Sequence, residues 1–172
     1  FVVRPLFLAI SRDVPKNPAD SLCFMLYFKK NLHEEVIIME FNELIQDRFS
    51  CRALSDKEIP HESLDRIFEA ARVAPTAVNK QPFKIWAIKS PEARAKLAET
   101  TNYTFGAGVF LVVGGSADDA WVRQYDGRNF ADVDAAIVAT YIMLAIHNEG
   151  LRSTWVGHFD APKLKKAFPQ MA

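Results

Sequence analysis

The spacing of apolar residues along the chain predicts a series of helices and short strands. Between His61 and Val73, apolar residues recur at i, i+3, i+4 and i+7, which predicts a helix with one buried face. The run Val109–Val113 is apolar throughout and precedes a Gly-Gly pair, as expected of a strand buried on both faces. The longest predicted helix runs from Asp132 to Asn148, and its alanines would let another helix of the same subunit or of a partner approach closely.

Shorter patterns predict the remaining elements. A helix is expected from about Phe41 to Arg48, and Ser90-Pro91-Glu92 combines an N-cap hydroxyl, a first-turn proline and an acid at a helix start. Strands are expected at 83–88 and 151–156, and a last short helix begins near Asp160. This order predicts an α+β fold with a central, mainly antiparallel sheet flanked by helices.

The first 38 residues differ from the rest, and we expect an N-terminal extension at 1–38 followed by a main domain at 39–172. The extension holds two apolar runs, Phe1–Ile10 and Leu22–Phe28, on either side of the turn-rich segment Ser11–Asp20. Each run predicts a short strand, because strand-forming residues there are bounded by turn residues.

Composition argues against several classes of protein. The 21 basic and 21 acidic residues give no net charge, so the basic excess of a nucleic-acid-binding protein is missing. No apolar stretch is long enough to predict a membrane span, and we expect no signal peptide. The cysteines, Cys23 and Cys51, and the four histidines lack metal-ligand spacing, so we expect no metal, no disulfide framework and a cytoplasmic location.

Two guanidiniums and a hydroxyl recur at i, i+2 and i+4 in the segment Arg48-Phe49-Ser50-Cys51-Arg52. In an extended segment these three side chains share one face, and such donors suit a dianionic phosphomonoester. A solvated charged face is the alternative for these five residues. Cys51 itself is expected to be a small packing residue.

The stretch from Ala74 to Phe83 lies between a predicted helix and a predicted strand, and it holds two prolines. Prolines stiffen the loop, while Thr76, Asn79 and Gln81 offer hydrogen-bonding groups that a planar ligand could contact. An ordinary connection between a helix and a strand is the alternative, because these are common turn residues.

Three stretches together resemble the FMN-dependent nitroreductase family. They are Arg48-x-Ser50-x-Arg52, the loop Ala74-Pro75-Thr76-x-x-Asn79-x-Gln81-Pro82, and 150–160 with its sequence Gly-Leu-Arg-Ser-Thr-Trp-Val-Gly-His-Phe-Asp. The resemblance implies an obligate nitroreductase-like homodimer with two FMN sites at its interface and no catalytic protein side chain. The implied FMN-binding residues are Arg48, Phe49, Ser50, Arg52, Pro75, Thr76, Ala77, Asn79, Gln81, Trp155, Val156 and Gly157.

The resemblance also implies which part of FMN each of these residues contacts. Arg48 and Ser50 would hold the phosphate and ribityl end, and Arg52 would lie near N1 and the C2 carbonyl. The loop at 75–79 would reach the flavin from the other subunit, and the backbone N–H of Gly157 would lie near N5. A guanidinium near N1 favours the reduced, anionic flavin.

The implied activity is the reduction of nitroaromatics, quinones or similar small acceptors by NAD(P)H, in ping-pong fashion. Two alternatives stay open: a non-enzymatic flavin-binding module, and another flavin reaction on the same scaffold, such as reductive dehalogenation. Trp121, Arg123 and Tyr125 are candidates to line a substrate pocket, although they could equally be surface residues.

Two features depart from the family pattern. Thr76-Ala77 stands where many members have serines, and the sequence ends at Ala172, where the family continues into another strand and a C-terminal tail. Residues 1–38 are therefore expected either to replace that strand and tail, adding Leu6–Ile10 to a sheet edge, or to be an unrelated extension. In the first case Lys29 or Lys30 would supply a basic contact to the phosphate.

Overall fold

A computed structural model describes residues 6–11 and 40–171 of the chain. In chain order these residues form strand β1 (Leu6–Ser11), helices α1 (Phe41–Asp47) and α2 (His61–Val73), strand β2 (Phe83–Ile88), helix α3 (Pro91–Ala98), strand β3 (Val109–Gly115), helix α4 (Ala131–Asn148), strand β4 (Arg152–Val156) and helix α5 (Ala161–Ala167). The predicted α+β fold is confirmed.

The four strands form one antiparallel sheet in the order β2-β3-β1-β4. Strand β1 is paired on both sides, so that Ala9 lies opposite Phe110 of β3 and Thr154 of β4. The prediction of a strand at Leu6–Ile10 is confirmed, but its expected place at a sheet edge was wrong. Leu8, Ala9 and Ile10 are completely buried, and an apolar run without alternation suits a strand covered on both faces.

The other predictions for the extension cannot be compared with the structure. The proline-rich segment Val14–Ala19, the apolar run Leu22–Phe28, and Lys29 and Lys30 lie outside the described residues. That residues 1–38 replace the C-terminal strand and tail of the family stays a prediction, as does the division into residues 1–38 and 39–172.

Helices cover both faces of the sheet. Residues of α2 and α4 share one buried cluster with Leu8 and Ile10 of β1, while Ala9 belongs to the cluster on the opposite face, with residues of α3 and α5. Successive residues of a strand point to opposite faces, so one short strand contributes to both halves of the core.

Local signals in the sequence explain where several helices begin and end. Ser90 accepts a hydrogen bond from the backbone N–H of Ala93 at 3.2 Å, and Asp160 accepts one from Lys163 at 2.9 Å, as N-cap residues do. After α4 the chain reverses through Gly150, whose φ of +70° is a left-handed conformation that favours glycine. This turn leads directly into β4.

Helix α4 is apolar on more than the face that contacts the sheet. Ala135 and Ala139 are buried within the subunit, so these small residues let α4 approach its own sheet closely. A second stripe follows the other side of the helix at i, i+4, i+8 and i+11, and it is only partly buried; its residues are Val133, Ile137, Tyr141 and Leu144. Tyr141 is 39% exposed. None of the helices in the described part of the chain is long and apolar enough to cross a membrane.

Candidate functional site

The segment from Arg48 to Arg52 leaves the end of α1 in an extended conformation. The backbone N–H of Arg48 donates to Leu44 at 3.1 Å and closes the helix. Ser50 then forms a parallel bridge with Ser153 of β4, and the N–H of Cys51 donates to the carbonyl of Ser153 at 3.0 Å. Cys51 is buried, as expected of a packing residue.

Exposure varies along this segment, and the buried Cys51 lies between two exposed residues. Ser50 and Arg52 are exposed, Arg48 and Phe49 are half-buried, and the chain bends at Arg52. The hydroxyl and the second guanidinium therefore both reach solvent on the side opposite Cys51. These donors suit an anionic group with several oxygen atoms.

A buried histidine links the start of this segment to the last turn of α4. His147 is 3% exposed, and its Nε2 lies 3.0 Å from Oδ2 of Asp47. Its Nδ1 lies 3.3 Å from Nη1 of Arg152, the first residue of β4. The guanidinium of Arg152 lies over the ring of Phe49, 5.7 Å from its centroid.

The surroundings of His147 determine its protonation. Burial lowers the pKa of His147, the positive charge of Arg152 lowers it further, and the hydrogen bond to Asp47 acts in the opposite direction. The ring is therefore neutral at pH 7. Because a carboxylate only accepts hydrogen bonds, Nε2 carries the proton and donates to Asp47, and Nδ1 accepts from Arg152.

The loop between α2 and β2 is held in an unusual backbone conformation. Val78, Asn79 and Gln81 have φ values of 46°, 55° and 50°. A β-branched residue such as Val78 rarely adopts a left-handed conformation, so the surrounding contacts must maintain it. Val78 is nevertheless 69% exposed.

Two hydrogen bonds to the protein already occupy polar groups of the loop. The N–H of Gln81 donates to Oγ1 of Thr76 at 2.9 Å, and Nε2 of Gln81 donates to the carbonyl of Arg72 at 2.9 Å. The side-chain N–H groups of Gln81 are thus partly committed to the protein. Pro75 and Asn79 are exposed, and Thr76 and Ala77 are partly so.

One contact fixes the loop to α4. The backbone N–H of Ala77 donates to Oδ1 of Asp134 at 2.8 Å, and Asp134 is 1% exposed. Its second oxygen, Oδ2, has no hydrogen-bond partner among the described residues. The loop is therefore anchored at the first turn of α4, whereas the Arg48–Arg52 segment is anchored at the last turn.

The third predicted stretch, residues 150–160, contains β4. Trp155 is half-buried on the face of the sheet that carries α2 and α4, and Val156 is buried on the opposite face. Gly157 is exposed, and apart from its two chain neighbours no described residue has an atom within 4 Å of the position that a Cβ would take there. A flat group could therefore approach the backbone of Gly157 closely.

The predicted pocket residues belong to a hairpin before α4. Trp121 packs edge-on against Phe130, with ring centroids 4.9 Å apart, and Arg123 lies over the same ring while it pairs with Asp126. Tyr125, at the tip, is 97% exposed. Their role in a substrate pocket stays a prediction.

Several residues that build the candidate site were not predicted from the sequence; they are Asp47, Phe130, Asp134, His147 and Arg152. One signal could have indicated Asp134 and His147, because both are polar yet border the buried stripe of an otherwise apolar helix. Their partners are 57 and 100 residues away in the chain, a separation that local patterns do not reveal. In residues 6–11 and 40–171 no three His, Cys, Asp or Glu side chains are grouped as a metal site would require.

Comparison with known proteins agrees with this geometry. The chain is 31% identical over 122 residues to a protein of Methanothermobacter thermautotrophicus with the provisional name NADH dehydrogenase/NAD(P)H nitroreductase. That match covers 69% of this chain and 61% of the relative, so the chain spans less than two thirds of its length. Among solved structures, a nitroreductase family protein from Clostridium difficile 630 is similar with a TM-score of 0.74 and 34% identity, covering 76% of each chain.

A further solved structure shares the fold at lower identity. It is a provisionally named nitroreductase from Exiguobacterium sibiricum 255-15 in complex with FMN, with a TM-score of 0.67, 20% identity, and coverage of 76% of this chain and 80% of that one. The model of the nitroreductase family matches two overlapping parts of the sequence, residues 45–104 and 100–169, which together hold every candidate binding element described above. The chain therefore belongs to the nitroreductase family.

Proposed function

We propose that the chain is an FMN-dependent oxidoreductase that acts as a homodimer and uses NAD(P)H to reduce nitroaromatics, quinones or similar small acceptors by a ping-pong mechanism. Membership of the nitroreductase family supports an oxidoreductase. The bound FMN of the Exiguobacterium structure supports the cofactor, and the name of the Methanothermobacter relative supports the nicotinamide substrate.

One observation carries the proposal of a shared site. The loop at 75–79 is tied to Asp134 and the Arg48–Arg52 segment to His147, and these two anchors are thirteen residues apart on α4. At 1.5 Å per residue they are about 20 Å apart along the helix. Both elements of one subunit are thus poorly placed to contact the same small cofactor.

Two copies of α4 packed in antiparallel fashion resolve this separation. The first turn of one helix would then lie beside the last turn of the other, which brings the loop of one subunit close to the Arg48–Arg52 segment of its partner. The partly open stripe that includes Ile137 and Tyr141 supplies an apolar contact surface for such packing. Each dimer would hold two equivalent sites.

The residues present are chemically suited to FMN. Arg48 and Ser50 offer a guanidinium and a hydroxyl to a phosphate, and the open space beside Gly157 admits a flat ring close to the backbone. FMN supplies the electron-transfer chemistry when bound. The protein would bind and orient it, and Arg52 would stabilise the negative charge that develops on its N1 side during reduction. No protein nucleophile is required.

Purified protein tests this function directly. We expect a flavin absorption spectrum, loss of the oxidised spectrum on anaerobic addition of NADH or NADPH, and its return on addition of a nitroaromatic or a quinone. A flavin that is bound but never reduced by either nucleotide would favour the non-enzymatic module. A colourless protein that takes up no added FMN would overturn the proposed function altogether.

The placement of the phosphate is tested by a matched pair of neighbouring variants. Arg48→Ala removes a charge-assisted contact worth roughly 1.5–3 kcal/mol, whereas Cys51→Ala removes a buried thiol that would make no such contact. Titration of the apo-protein with FMN should therefore show weaker binding for Arg48→Ala alone. Equal affinities would remove Arg48 from the phosphate site.

A further inference from the structure

We propose that His147 and Arg152 are positioning residues that set the affinity of the Arg48–Arg52 segment for a phosphate group, and that this affinity depends on His147 being neutral. The inference rests on the proposed function, in which that segment binds the phosphate of FMN. It concerns two side chains that the sequence analysis did not assign to the site.

The geometry fixes the segment at three successive points. Immediately before Arg48, Nε2 of His147 lies 3.0 Å from Oδ2 of Asp47. In its middle, the guanidinium of Arg152 covers the ring of Phe49 at 5.7 Å from the centroid. At its far end, the N–H of Cys51 donates to the carbonyl of Ser153, the residue after Arg152 in β4. Arg48 and Ser50 lie between these points, so their placement follows from them.

His147 and Arg152 act through other residues rather than on a ligand. They are 3% and 7% exposed, whereas Ser50 and Arg52 are exposed to solvent. Arg152 also donates to the carbonyl of Leu151 at 3.0 Å, which holds its guanidinium beside its own strand. Neither side chain is accessible to a phosphate at the surface of the segment.

Charge makes this arrangement sensitive to protonation. The charged groups that act on His147 are Asp47 and Arg48 at the end of α1 and Arg152 at the start of β4. A second proton on the ring would occupy Nδ1, the atom that accepts from Arg152, and would leave two cations 3.3 Å apart. The bond would be lost, and the guanidinium would move away from His147 and from its place over Phe49.

Two flavins separate a positioning role from a general structural one. Riboflavin lacks the phosphate of FMN, so a change confined to the phosphate segment affects FMN alone. We expect Arg152→Met to raise the dissociation constant for FMN by about tenfold and to leave that for riboflavin within about twofold. Arg94→Met replaces a partly buried arginine on α3, across the sheet, and should change neither dissociation constant.

The dependence on pH is tested by a variant that cannot titrate. His147→Gln keeps a side-chain N–H for Asp47 and remains neutral in acid. Because the phosphate of FMN itself titrates near pH 6, the quantity to follow from about pH 8 to about pH 5 is the ratio of the wild-type and variant dissociation constants. We expect the wild type to lose affinity faster in acid. The control is His61→Gln, which alters an exposed His–Asp pair of similar length, 2.9 Å, on α2.

Two outcomes would overturn the inference. One is an equal loss of FMN and riboflavin affinity in Arg152→Met. The other is a ratio of wild-type to His147→Gln dissociation constants for FMN that is constant with pH. If Arg152→Met does not fold, the conservative His147→Gln variant still decides through its pH dependence. Failure of the proposed function has a different signature, because wild-type protein would then bind no FMN at any pH.

Discussion

Asp134 accepts the backbone N–H of Ala77 at 2.8 Å, and this one hydrogen bond joins the loop after α2 to the first turn of α4. Asp134 is 1% exposed, so its carboxylate is shielded from water. The residue after Ala77 is Val78, whose left-handed backbone is the most strained of the loop. The bond therefore acts at the point where the loop needs support.

We predict that Asp134→Ala destabilises the protein by about 1–3 kcal/mol, because the partly buried N–H of Ala77 loses its acceptor. Urea unfolding of the cofactor-free protein measures this difference. Asp132→Ala, an exposed acid in the same turn, should cost less than about 1 kcal/mol. Equal effects of the two substitutions would show that the hydrogen bond to Ala77 is not important for stability.

A second prediction concerns the strain at Val78. Asn tolerates a left-handed conformation better than a β-branched residue, so Val78→Asn should stabilise the cofactor-free protein by about 0.5–1.5 kcal/mol. Thermal or urea unfolding would detect the gain. Val73→Asn replaces another exposed valine, but within α2, where no gain is expected. A Val78→Asn variant less stable than wild type would contradict this explanation.

The third prediction tests the role of β1. Leu8 is completely buried between two paired strands, so Leu8→Ala should cost about 2–5 kcal/mol. Removing residues 1–38 would leave β3 and β4 without the strand that joins them, and we expect that protein not to fold. The exposed-site control is Val122→Ala, with an effect below about 1 kcal/mol. A truncated protein that folds and binds FMN normally would show that the extension is only an appendage.

The identity of most elements could be predicted because it depends on local patterns. The apolar repeat between His61 and Val73, the proline at 91 and the glycine at 150 each specify a helix or its end through nearby residues. The position of β1 in the sheet could not be predicted. An apolar run is compatible with any covered strand, and its neighbours are about 100 and 145 residues away along the chain.

Prediction of the candidate site was limited for a similar reason. The guanidiniums, the hydroxyl and the loop could be named from their chemistry and from the family resemblance. The contacts that support them, from Asp134 to Ala77 and from His147 to Asp47, join residues that are distant in sequence. Such contacts depend on how the elements pack, which no local spacing specifies.

The fourth prediction is a pH dependence of stability. Burial lowers the pKa of His147 below the ordinary value of about 6.5, so the unfolded chain takes up this proton at a higher pH than the folded protein. The contribution of His147 to the free energy of unfolding is therefore complete above about pH 6.5, and it decreases as the pH falls toward the pKa of the folded state. Unfolding free energies measured from about pH 7.5 to about pH 5 should decline more for wild type than for His147→Gln.

This pH range distinguishes the effect of His147 on stability from the effects of the carboxylates. The hydrogen bond from Arg66 lowers the pKa of Glu149 below its ordinary value of 4.5, so that group affects stability only at more acidic pH. Parallel pH profiles for wild type and His147→Gln between about pH 5 and 7 would refute the prediction.

The last prediction tests the shared site through the open face of α4. Tyr141 is 39% exposed in the middle of the apolar stripe, and a carboxylate there would be buried without a partner if two copies of α4 pack together. We expect Tyr141→Asp to be monomeric and to retain no FMN, although its Arg48–Arg52 segment is unchanged. Sedimentation followed at the flavin and protein wavelengths measures both properties at once.

Ala98→Asp places the same charge on an exposed position of α3, across the sheet, and should leave a flavin-containing dimer. For wild type, release of flavin should follow dissociation as the protein is diluted, because in the proposed dimer each half of the site would come from a different subunit. A Tyr141→Asp monomer that still binds FMN tightly would mean that one chain holds the cofactor by itself.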